Sequence, residues 1–120
     1  SDLETEAELQ IFETEIVDRF GKIPKQVEDL LNSVRIKWLA KELGLEKIIL
    51  KQKRMMGYFV SNQQSDFYHT DAFTRMLKYV QQNGKSCVMK EKETKNGLRL
   101  LVTFIRIDTV KTALEILQKI

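Results

Sequence analysis

The chain has one proline, one histidine, one cysteine and five glycines among its 120 residues, and each scarcity removes a class of explanation. A lone thiol, Cys87, rules out an internal disulfide framework and suits a reducing compartment, where its default is an inert buried side chain. A lone histidine, His69, with no paired Cys/His spacing leaves no zinc site, and neither a glycine-rich phosphate loop nor a nucleophile elbow occurs. No apolar run approaches the roughly 20 residues of a membrane span, and the N-terminus is acidic rather than basic-then-apolar. These absences predict a cytoplasmic protein, or a piece of one. They further predict no membrane partner, no catalytic residue, no metal ligand and no cofactor of its own. The length predicts a single domain over 1–120, with an N-terminal helix at about 3–20 and a core at about 24–120.

What is present is an uneven charge. Residues 1–18 carry seven acids and no base, so a segment of −7 is joined to a body of +10. An acidic helix of this kind is either a solvated face or one that meets a basic partner.

Helical periodicity explains the first third. Leu9, Phe12, Ile16 and Phe20 recur along one face, widened by Val17, while the turns up to Ala7 have little to bury. Asp18-Arg19-Phe20-Gly21-Lys22-Ile23-Pro24 then breaks the helix, with Gly21 able to end it and Pro24 suited to the first turn of the next. That second helix, to about Leu43, carries two adjacent apolar lines, Val27-Leu30-Leu31-Val34-Trp38 and Ile36-Leu39-Ala40-Leu43, so it is covered on more than one side. Gly44 ends it.

Beyond Gly44 the period changes. Ile48-Ile49-Leu50 and Tyr58-Phe59-Val60 read as strands around a solvated hairpin end, Lys51 to Arg54, and Gly57 marks a bulge or a close backbone approach. Phe73, Met76, Leu77 and Val80 define a third helix, capped by Thr70 and ended by Gly84. Ser86–Lys95 and Leu98–Ile107 form a second hairpin about Asn96-Gly97, a register that sets Met89 opposite Phe104 and Val88 opposite Ile105. A last helix runs from an Asp108 cap to Ile120. The order α-α-β-β-α-β-β-α, with hairpins rather than crossovers, predicts an α+β domain: an antiparallel sheet built from two hairpins, with helices packed on it.

Two lysine-rich clusters raise an alternative function, a small basic nucleic-acid-binding module. Lys51, Lys53 and Arg54 are its candidate contacts, with Lys90, Lys92 and Lys95 as a second group that Glu91 and Glu93 interrupt. Lysines that keep strand ends soluble explain the same clusters.

Glu15 to Pro24, the following Val27-Glu28-Asp29-Leu30-Leu31, and Arg35 to Ile48 with its Leu-Ala-x-x-Leu-Gly-Leu run together resemble the C-terminal domain of the bacterial transcription-repair coupling factor (Mfd) family. The close match covers about a third of the chain. Phe67-Tyr68-His69-Thr70-Asp71-Ala72-Phe73 looks like the version in Bacteroides-type relatives. The resemblance implies a fragment of a large cytoplasmic ATPase, an ATP-dependent DNA translocase that displaces stalled RNA polymerase and recruits nucleotide-excision repair through UvrA. It implies that the motor, its ATP site and its DNA contacts lie elsewhere. This domain would pack on the UvrB-like, UvrA-binding module of the same protein and mask it, an autoinhibitory clamp. Glu15 and Asp18 share a helix face and match the acidic positions of the family's E-x-x-D-R-F-G segment, which implies that they meet arginines on that module. Arg19 belongs to the same segment but points elsewhere on the helix.

Overall fold

A computed structural model describes residues 3–120; Asp2, one of the seven N-terminal acids, falls outside that range. The described elements run α1 (Glu6–Phe20), α2 (Lys25–Glu42), β1 (Leu45–Lys51), β2 (Arg54–Phe59), a short 3-10 helix (Asp66–His69), α3 (Asp71–Gln82), β3 (Cys87–Thr94), β4 (Gly97–Ile105) and α4 (Val110–Gln118). This is the expected α+β order. The four strands form one antiparallel sheet in the order β1-β2-β4-β3, so the two hairpins join through β2 and β4.

Strand alternation gives the sheet one covered face. Met55, Phe59, Val102, Phe104 and Cys87 point to that face and are buried with Ile36, Ala40 and Leu43 of α2, Met76 of α3, and Ala113, Leu114 and Leu117 of α4. Helix α2 meets both β1 and α4, and its line Ile36-Leu39-Ala40-Leu43 joins the core, while Leu30 of its other apolar line is left exposed. Burying such side chains contributes roughly 1.5–3 kcal/mol each, so this layer holds most of the fold's stability. Gly57 sits on the same face, where a Cβ would come within 2.9 Å of Leu45 Cδ2. It therefore marks a close approach, and the irregularity in β1 lies instead between Leu45 and Lys47.

Several local expectations shift. The second hairpin turns at Lys95-Asn96, giving Thr94 opposite Gly97, Met89 opposite Val102 and Val88 opposite Thr103. Gly97 has φ +107°, while Asn96 is not among the residues of positive φ, so the Asn-Gly pair does not form the two-residue left-handed turn. Instead the Thr94 hydroxyl accepts from Asn96 N–H at 3.3 Å and donates to the Gly97 carbonyl at 2.6 Å, locking the turn one residue early. Each pair slips by two residues, so no side chain changes face. The left-handed two-residue turn occurs in the first hairpin, at Gln52 (φ 53°) and Lys53 (φ 61°), where Ile107 N–H donates to the Lys53 carbonyl at 2.9 Å. Thr109, not Asp108, caps α4 by accepting from Thr112 N–H at 3.0 Å, and α3 ends at Asn83 rather than Gly84.

Candidate interaction surface on the N-terminal helix pair

Gly21 closes α1 with φ +76°, its N–H donating to the Val17 carbonyl, and the Pro24 carbonyl accepts from Val27 and Glu28 N–H at the start of α2. The corner folds α1 back against α2. Among the described residues of α1, Leu9 alone is buried, at 0% exposure. The rest of its apolar stripe is not consumed by the core: Phe12 and Val17 are exposed, and Phe20 is 72% exposed. Across from them on α2, Leu30 is 66% exposed.

Charge fixes α1 where apolar contact is thin. Arg35 of α2 reaches Glu6 through Nε (2.9 Å) and Nη2 (2.8 Å), Glu13 through Nη2 (2.6 Å), and the buried Asn32 Oδ1 through Nη1 (2.8 Å). The guanidinium hydrogen bond holds the Glu6 carboxyl below its usual range, and the same bond raises Arg35. The Thr5 side chain accepts from Glu8 N–H and donates to the Glu8 carboxylate, closing the N-terminus. Arg35 carries no local signal for this role, because its two carboxylates lie 22 and 29 residues away.

Of the acids on α1, Glu6, Glu8 and Glu13 are thus engaged within the chain. Glu15 and Asp18 are exposed and, among the described residues, make no side-chain hydrogen bond or ion pair; the same is true of Arg19. Glu15 and Arg19 border an open groove of about 600 Å³ between the helices, whose walls are Phe12, Ile16, Phe20, Val27, Leu30 and Leu31. Arg19 therefore joins Glu15 at the groove instead of pointing elsewhere, while Asp18 lies outside the lining. The arrangement is an apolar centre with charges of both signs at its rim, the anatomy of a protein-binding surface.

The other sequence candidates separate. Lys51 and Arg54 are directly paired across the first hairpin, whereas Lys53 turns to Asp108, 3.9 Å away. His69 is exposed at the end of the 3-10 helix. Cys87 is 1% exposed in the core, and burial pushes its thiol up to about 11. A second groove, about 680 Å³ between α2 and β1, contains no histidine or cysteine; its one carboxylate, Glu46, accepts from Ser61 N–H and Arg99. Among the described residues no cluster of His, Cys, Asp or Glu has the makings of a metal site, and no helix is long and apolar enough to cross a membrane.

The family model described as the TRCF domain aligns with residues 1–70, more than half of the chain, including both helices, the groove and the first hairpin. No curated protein matches the chain.

Proposed function

We propose, from the premise that this chain belongs to the TRCF domain family of transcription-repair coupling factors, that it is a regulatory interaction domain that works by covering another module. In this reading the groove between α1 and α2 packs on the UvrB-like, UvrA-binding module of the same parent protein. The contact masks that module until the parent engages stalled RNA polymerase. The parent is an ATP-dependent DNA translocase of the cytoplasm that contacts DNA through its own motor, and this domain needs neither catalytic group nor cofactor to act.

The observation that carries the reading is the division of labour on α1. Arg35 takes up Glu6 and Glu13 to hold the helix in place, while Glu15 and Arg19, at the groove with uncovered Phe20 and Leu30, and Asp18, outside its lining, are left unpaired. Arginines on the module would pair with the free carboxylates, and apolar groups would fill the groove. Exposed pairs contribute only about 0–1 kcal/mol each, so the contact is reversible and weakens with salt, as a mask requires.

The test is a binding titration of the chain against the UvrA-binding module. Glu15→Arg with Asp18→Arg should weaken binding about tenfold or more, and arginine-to-glutamate changes on the module should restore it. Unchanged affinity in the double variant would overturn the assignment.

A further inference from the structure

The sheet's second face lies away from the helices, and its residues fall into rows fixed by strand pairing. One row runs Lys47, Tyr58, Leu101, Lys90; the next runs Ile49, Met56, Thr103, Val88; a third holds Lys51, Arg54 and Ile105. Leu101 is buried at 7% exposure, but the other side chains of these rows are partly or fully exposed, Val88 at 44%. The middle row is thus a largely aliphatic band across the sheet, with Thr103 the one polar member, on the order of 14 Å from outer strand to outer strand and with cations in the rows on both sides about 7 Å away.

Alternation also sorts the charges of β3. Lys90 and Lys92 stand on this open face, whereas Glu91 and Glu93 fall on the opposite one, so the acids do not dilute the basic field as their adjacency in sequence suggests. Among the described residues Lys47, Lys51, Arg54, Lys90 and Lys92 are in no ion pair. Glu46 is already held by Arg99 at 3.1 Å.

We propose that this open sheet face is a second docking surface, and that its partner is an amphipathic helix with carboxylates on both flanks of a narrow apolar stripe. A helix roughly 10 Å wide laid across the strands would set its stripe on Ile49, Met56 and Val88 and its flanks on the two cation rows. Lysines that only protected sheet edges would need no aliphatic band between them. Nucleic acid fits less well, because the band lacks aromatics. The one ring nearby, Tyr58, has Lys47 Nζ 5.3 Å and Arg99 Cζ 5.6 Å from its centroid, which leaves no free stacking platform. The inference does not depend on what fills the groove between α1 and α2.

The experiment titrates the isotopically labelled chain with two synthetic helices of about 18 residues that share one leucine stripe. One has glutamates on both flanks and the other lysines, and a single-stranded oligothymidylate serves as a third probe. The acidic helix should shift the amide resonances of Ile49, Met56, Val88 and Thr103. Lys51→Glu with Lys90→Glu should weaken it about tenfold with the melting temperature of the chain unchanged. Equal binding of the basic helix, shifts confined to the α1–α2 groove, or binding of the oligonucleotide without the acidic helix would each overturn the proposal. So would concentration-dependent shifts of the free chain on this face, which would make the occupant a second copy.

Discussion

Replacing Arg35 by methionine tests whether one guanidinium holds the candidate surface in shape. The change keeps most of the aliphatic stem and removes the contacts to Glu6, Glu13 and Asn32. Arg35 and Glu13 are only 19% and 29% exposed, while Glu6 is 49% exposed, so the Glu13 contact carries more weight than the Glu6 one. Allowing about 1–2 kcal/mol for the half-buried pair, less for the exposed one, and something for stranding Asn32, the loss comes to roughly 2–3 kcal/mol. Because Leu9 is the one buried residue of α1, this loss should appear as local opening of α1 and not as global unfolding. Native-state hydrogen exchange at neutral pH should then show α1 amides less protected by roughly 30- to 150-fold, with β2 and β4 unchanged. Protection of α1 within about threefold of wild type, or an equal loss in β2 and β4, would refute the reasoning. The pH dependence gives a second check. Since Glu6 is depressed in the folded state, its contribution is present above the ordinary carboxyl range and is lost as pH falls through the lowered value. Helicity of wild-type α1 should fall below about pH 4, and the variant should show a flatter profile.

Two further outcomes probe the core beneath the surface. Gly44 has φ +70°, and a Cβ there would lie 2.4 Å from the Phe67 ring, so Gly44→Ala should cost about 2–4 kcal/mol in denaturant unfolding. Phe67→Leu should recover part of that loss in the double variant, since it removes the overlap but not the backbone strain. Cys87 should resist thiol reagents near pH 8 until denaturant is added. Its raised folded value means that stability is intact below the unfolded thiol range and declines as pH rises from about 9 toward about 11, a decline that Cys87→Ala should reduce, leaving the part due to the buried Tyr68 and Tyr79.

Local rules made most of the fold legible. Periodicity located the four helices and four strands, because each apolar stripe matches the element that buries it, as in Phe73, Met76 and Val80 of α3. The misses occurred where a neighbouring hydrogen bond outweighed a residue preference. Thr94 drew the second turn one residue early despite the Asn-Gly pair, and a bond from Ile107 N–H accompanies the left-handed pair at Gln52-Lys53, which has neither glycine nor asparagine. Such contacts depend on positions that pattern reading treats as independent.

The surface was legible in part, and the reason lies in what an apolar stripe signifies. Leu9, Phe12, Ile16 and Phe20 read as one apolar helix face, yet the structure buries only the first fully, so the same periodicity describes both a packed side and a side waiting for a partner. The Lys90-Glu91-Lys92-Glu93 run holds a similar lesson. Its strict alternation contains the sorting of charge onto two faces, but only once the segment is known to be a regular strand. Arg35 was not legible at all, since its meaning depends on two helices meeting around the Gly21 corner. The acids of α1 acquire distinct roles only when that basic residue is placed between Glu6 and Glu13. Its placement leaves Glu15 at the groove with Phe20 and Leu30, and Asp18 outside it, as the free carboxylates, so the geometry of the corner decides which charges a partner can reach.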